Sequence, residues 1–194
     1  MSAPVAPHRA APRAVPLAAP FVGFTEGTLI TCKVNNKEET VAVQNLKPGM
    51  MVKTGDGLFR PVDKIGSRSL TNPTGSARVA ERLYTLKKTD HPSLTADLTV
   101  TGNRSVLAHT VTDADRRQMI AVHGRITVAD KKFCVPCVAD AKAQPAAVTG
   151  AVTIYNFSLV CPGRVTSYGV YANGLLVDSA NIAQMMNPAY TLLH

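Results

Sequence analysis

The side chains in this chain that could carry chemistry are few and far apart. Cysteines stand at Cys32, Cys134, Cys137 and Cys161, and isolated histidines at His91, His109 and His123. Cys134-Val135-Pro136-Cys137 is a single Cys-x-x-Cys. A structural zinc site takes four ligands, and Cys32, Cys161 and His123 do not make a second spaced pair. A redox dithiol needs a strand before it and a helix after it, and Pro136 with Val138-Ala139 gives no such context. Cys134 and Cys137 are therefore expected as core or loop thiols, with metal binding the lesser alternative. No histidine has a metal-pair spacing and no glycine-rich phosphate loop is present, so no cofactor is expected. What remains are hydroxyls and a thiol, Thr25, Thr28 and Cys32 among them. A hydroxyl or thiol beside a proton acceptor can attack a carbonyl.

The elements that position these residues read as β. Thr28–Val34 and Glu39–Val43 flank Asn35-Asn36, a dipeptide that accepts the positive φ of a tight hairpin. Further strands are expected over Met51–Thr54, Phe59–Ile65, Leu83–Lys87, Leu98–Val100 and Ser105–His109. Four more follow over Ile120–Val122, Gly124–Val128, Val152–Leu159 and Tyr168–Leu176. Arg68–Arg78, rich in Ser, Thr, Asn, Pro and Gly, reads as a loop. Helix signals are confined to a turn or two after Thr112, over Asp113–Met119, and another over Asn181–Met186. Short strands with Gly, Asn and Asp turns argue for an all-β sandwich or partly open barrel. The apolar end, with Met185-Met186 and Tyr190–Leu193, either closes the core or forms a docking strip.

Residues 1–20 are different material. They hold Pro4, Pro7, Pro12, Pro16 and Pro20, five of the 13 prolines, with Arg9, Arg13 and no acid. Such a stretch buries too little to fold alone and reads as an extended arm ahead of a domain over 21–194. A secretory signal needs an unbroken apolar run, and Val15–Pro20 is interrupted twice, so secretion through a signal peptide is not expected. No run approaches the length of a membrane-spanning helix. Net charge is +8, but Lys and Arg are scattered and Trp is absent. A solvated basic surface is favoured over a nucleic-acid-binding module, which stays open as an alternative.

Four blocks in order resemble the Hint family, the self-processing domain of hedgehog proteins and inteins. They are Phe24–Ile30, Val43–Thr54, Leu98–Leu107, and Ile154–Leu159 followed by Tyr168–Val177. The last block is similar to the Hint-domain proteins of large DNA viruses and some protists. The resemblance implies a compact all-β fold of many short strands with pseudo-twofold symmetry. It also implies a nucleophile before the Phe, a Thr-x-x-His that protonates the leaving nitrogen, and a terminal His-Asn that cyclises. Here those places hold Gly23, Thr101 with Arg104, and Asp178-Ser179 with Ala180 after them. The family's turn aspartate is Met50. The resemblance therefore implies a catalytically inactive member, kept as a structural or interaction subunit. Its context would be a virus particle, as a minor capsid or capsid-associated protein in the virion or host-cell cytoplasm. The arm, through Pro4, Arg9, Pro12, Arg13, Pro16 and Pro20, would contact other protein subunits. The alternative is residual self-cleavage using Thr25 or Cys32.

Overall fold

A computed structural model describes residues 22–194. Pro4, Arg9, Pro12, Arg13, Pro16 and Pro20 lie outside the described residues. The strands are β1 (Phe24–Thr25), β2 (Leu29–Val34), β3 (Lys37–Ala42), β4 (Met51–Lys53), β5 (Phe59–Asn72), β6 (Leu83–Leu86), β7 (Leu98–Thr101) and β8 (Ser105–Ala108). Helix α1 (Asp113–His123) is followed by β9 (Val128–Ala129), β10 (Lys132–Pro136), β11 (Gln144–Pro145), β12 (Gly150–Leu159), β13 (Gly169–Ala172) and β14 (Leu175–Asp178). Helix α2 (Ile182–Met185) and β15 (Thr191–Leu193) complete the chain. The fold is all-β.

All the strand pairings are antiparallel, in the order β11-β6-β7-β1-β12-β5-β4-β2-β13-β14-β8-β10-β9, with β3 on β2 and β15 on β5. The sheet has two halves, and β5 belongs to both. Its residues 59–61 pair with β4, and from Val62 to Asn72 it pairs with β12. The chain crosses between halves again in the turn from β7 to β8, since β7 pairs with β6 and β1 while β8 pairs with β10 and β14. Apolar residues from both halves close the core, among them Phe24, Ile30, Val52, Leu98, Val100, Phe157, Val170 and Val177, all fully buried. Phe24 and Phe157 stack with ring centres 5.9 Å apart. Each such side chain contributes about 1.5–3 kcal/mol of transfer free energy.

Four expectations are corrected. Residues 68–72 are not loop but the far end of β5, because Gly150–Ile154 of β12 supplies their main-chain partners and Leu70 and Asn72 turn inward. Ile120–Val122 is helical. Thr112 and Asp115 form a reciprocal capping box, and Gly124 ends the helix at φ 70° in the left-handed region, so the helix runs on to His123. The strand expected over Gly124–Val128 accordingly begins only at Val128. Tyr168–Leu176 is two strands, β13 and β14, turned by Asn173-Gly174 at φ 45° and 85°. The hairpin expected at Asn35-Asn36 is present, with both residues at positive φ. Met185 and Tyr190 are buried, so the apolar end closes over β5.

Candidate functional site

The site lies where the chain crosses between the two halves. β1 is wedged between β12 and β7, with Phe24 opposite both Tyr155 and Val100. That register sets Gly23 against Thr101. The Gly23 N–H donates to Thr101 Oγ1 at 2.9 Å, and the Thr101 N–H donates to the Gly23 carbonyl at 3.1 Å. After Thr101 the chain turns, with the Arg104 N–H donating back to the Thr101 carbonyl at 2.9 Å. The turn drives the Arg104 side chain into the interior, where it is fully buried.

Three groups meet that guanidinium. Nη2 donates to Asn156 Oδ1 at 2.7 Å, Nη1 donates to the Asp178 carbonyl, and Nη1 stands 3.5 Å from Asp178 Oδ1. The guanidinium also lies over the Phe24 ring, 4.0 Å from its centre. Nε has no acceptor among the described residues. Asp178 Oδ1 accepts the Ser105 N–H at 2.8 Å. Burial pushes the Asp178 carboxyl above its ordinary range, with Arg104 and the Ser105 amide pulling against it. Burial likewise lowers Arg104, against the pull of Asp178.

The network continues to the peptide ahead of Gly23. Tyr190 donates its hydroxyl proton to the Val22 carbonyl and accepts the Val22 N–H at 3.3 Å. Asn156 Nδ2 reaches the same hydroxyl at 3.4 Å. Both polar atoms of the Val22–Gly23 peptide are thus held, the oxygen by Tyr190 and the nitrogen by Thr101. No side chain arises at Gly23 to attack it. The space is also short: a Cβ there would lie 3.0 Å from Ile154 Cβ and 3.1 Å from the Tyr155 carbonyl oxygen.

Gly23, Thr101, Arg104 and Asp178 therefore belong to one network, in which Thr101 holds the Gly23 amide directly and Arg104 and Asp178 reach the same peptide through Asn156 and Tyr190. Ser179 does not join them. Its hydroxyl accepts the Tyr168 N–H at 3.0 Å and donates to the Ala180 carbonyl at 3.1 Å. The neighbouring hydroxyls are also engaged, Thr25 with the Thr99 carbonyl and Thr28 with the Thr25 carbonyl. Cys32 is in the core, and burial pushes its thiol up to about 11.

A cleft of about 480 Å³ opens beside this network, with Val22, His123, Cys134 and Asp178 among its walls. Burial pushes the Cys134 thiol up to about 12, with the Asp178 charge adding to it, so at neutral pH it is a protonated thiol and a poor nucleophile. Burial lowers His123, which leaves a neutral imidazole. Cys137 is fully buried and its thiol is raised by burial. Neither Cys134 nor Cys137 belongs to a group of three or more potential metal ligands among the described residues.

Two members of the network, Asn156 and Tyr190, carry no signal that sequence reading picked out. Asn156 is the one polar residue in Ile154-Tyr155-Asn156-Phe157, and its inward phase on β12 was a usable hint. Tyr190 is 168 positions from its partner. Nothing local announces it.

No protein-family profile and no curated protein matches the chain. The fold is similar to several solved structures. The gp41-1 intein is 9% identical, with a TM-score of 0.41 over 83% of this chain and 99% of that one. The MchDnaB-1 intein is 12% identical, with a TM-score of 0.44 over 82% of this chain and 99% of that one. A DnaB intein from Synechocystis sp. PCC 6803 is 12% identical, with a TM-score of 0.40 and the same coverage. All three are inteins.

Proposed function

We propose that this chain is a Hint-like domain that no longer cleaves itself and serves as a structural or interaction subunit. The observation that carries the reading is Arg104, fully buried and bonded to Asp178 and Asn156 at the place where the resemblance puts a histidine. A general acid must exchange its proton near the operating pH, and a guanidinium does not. The peptide it would act on has glycine after it. The Thr25 and Thr28 hydroxyls donate to main-chain carbonyls and burial raises the Cys32 thiol, which supports a silent domain over residual cleavage.

The test is intact-mass spectrometry of the native chain under thiol and hydroxylamine treatment. A single species of 20.6 kDa is expected. A fragment boundary near residues 22–25 overturns the reading.

The context we favour is a virus particle, with the protein as a minor capsid or capsid-associated component. Its support is the likeness of residues 154–159 and 168–177 to the viral Hint-domain proteins. In that setting residues 1–20 contact neighbouring subunits in an extended form. Deleting them should reduce incorporation into the assembly, and normal incorporation would remove the arm from the proposal.

A further inference from the structure

His91 lies in the segment between β6 and β7, and its side chain is only 11% exposed. Its Nε2 is buried and has no hydrogen-bond partner among the described residues. Asp140 Oδ2 stands 4.0 Å away, beyond hydrogen-bond reach, on a side chain that is 15% exposed. Each of the two residues is fixed from its own side. The His91 N–H donates to the Lys87 carbonyl at 3.1 Å, and the His91 carbonyl accepts the Leu94 N–H at 2.9 Å. Asp140 Oδ1 accepts the Lys142 N–H at 2.9 Å, and the Asp140 carbonyl accepts Arg78 Nη2 at 2.6 Å. Closing the gap between ring and carboxylate therefore works against bonds on both segments.

The two segments grip different parts of the fold. The Thr95 N–H donates to the Asn173 carbonyl at 2.8 Å, and Asn173 Nδ2 donates to the Asp97 carbonyl at 2.9 Å. The segment with His91 thus holds the turn between β13 and β14. On the other side, the Cys137 N–H donates to the Arg104 carbonyl at 2.8 Å, and the Val138 N–H donates to the Gly102 carbonyl at 2.9 Å. Those two bonds support the turn from β7 to β8 that carries Arg104. The His91–Asp140 contact joins the two grips.

Positive charge is what this contact accommodates poorly. The charged groups acting on the ring are Asp140 and Lys142 from the facing segment and Asp90 from its own. Burial opposes the imidazolium most, Lys142 adds to that, and the two carboxylates offset it only in part, so His91 is held below its ordinary 6.5. Once the segments part, the ring is solvated and regains that ordinary value. Because the folded value is the lower one, the opened form binds the extra proton, and opening is favoured as pH falls below 6.5. We infer that His91 is an acid-operated catch: its protonation parts residues 87–95 from residues 137–143 and loosens the turn that carries Arg104. The catch is independent of the silence proposed above.

Native-state amide exchange of the full chain between about pH 7 and pH 5, corrected for the intrinsic pH dependence of exchange, tests the inference. Protection at the Thr95, Cys137 and Val138 amides should fall at least about threefold further in the unaltered chain than in His91→Gln, whose side chain is polar but does not titrate. Amides in the β5–β12 pairing should show no such difference, since the opening is local. In Asp140→Asn the loss should begin at lower pH, because burial then acts without that carboxylate's pull. Equal pH dependence in the unaltered chain and His91→Gln overturns the inference. Protection that rises on acidification also overturns it, since the charged pair would then be a latch that acid closes. The His91 ring resonances of the unaltered chain give a reading that needs no variant to fold. Their titration midpoint should lie below 6.5, and a midpoint at or above that value overturns the inference.

Discussion

Arg104 and Arg78 each organise a region of this molecule, and they do so by opposite means. Arg78 is exposed and spends its donors on main-chain carbonyls: Nε on Val138 at 2.9 Å, Nη1 on Ala143 at 2.8 Å, and Nη2 on Cys137 at 2.7 Å and Asp140 at 2.6 Å. It also stacks on Tyr84, 4.9 Å from the ring centre. Every acceptor is a neutral main-chain carbonyl. Arg104 is buried and faces a carboxylate, and one of its donors finds no acceptor. The first arrangement ties two loops together and tolerates being undone. The second confines two charges in the interior, where each depends on the other. A buried pair with an orphaned donor is poorly explained as a device for stability alone. Through Asn156 and Tyr190 the pair is linked to the Val22–Gly23 peptide.

The sharpest way to break this contrast is Arg104→Met. Stranding the Asp178 charge should destabilise the fold by about 3–5 kcal/mol, read from denaturant unfolding. Adding Asp178→Asn should recover a large part of the loss, because the stranded charge is then gone. Additive losses would show that the two residues do not act as a pair. Next in size is Gly23→Cys. Crowding against Ile154 should cost about 1–3 kcal/mol, and on the proposed reading intact mass should remain that of the uncleaved chain, because Arg104 stands where the resemblance puts the proton donor. Cleavage of this single variant would mean that only the nucleophile is missing.

Arg78→Ala should be milder, about 1–2 kcal/mol, since it leaves neutral carbonyls and no stranded charge. Amide exchange should quicken around residues 137–143, where Arg78 acts as a clasp. A loss as large as that of Arg104→Met would erase the distinction between the two regions. The smallest effect is expected at Asp56, which lies in the turn before β5. The Thr54 hydroxyl above all, helped by Arg60 and the Leu58 amide, holds its carboxyl at about 2, against an ordinary 3.8. Because the folded value is the lower one, its contribution is present above 3.8 and disappears as pH falls towards 2. Melting curves of the protein and of Asp56→Asn should therefore converge at the acid end of that window. A constant offset across it would refute the assignment.

What the sequence made legible follows the range of the interactions. Turns such as Asn35-Asn36 and the Thr112 cap are decided within a few residues, and they were readable. Gly23, Thr101, Arg104 and Asp178 could be singled out because each sits in a short block whose neighbours resemble a known order. The length of β5 was hidden, because Ser67 to Asn72 take their strand conformation from β12, some eighty residues later. The end of α1 was hidden by three apolar residues, Ile120, Ala121 and Val122, which read equally well as strand. Asn156 and Tyr190 act only through partners that no window of sequence contains.

The Tyr190–Val22 contact also imposes an order in time. Tyr190 is made 168 positions after its partner, a delay of about 8–34 s at the roughly 5–20 residues per second of synthesis. For the latter part of that interval Thr101 is already made, with its hydroxyl available to the Gly23 amide, while Val22 lacks its hydroxyl grip. The partner of the peptide nitrogen is thus made before that of its oxygen, and the cleft wall that Val22 forms lacks its Tyr190 contact until Tyr190 is made.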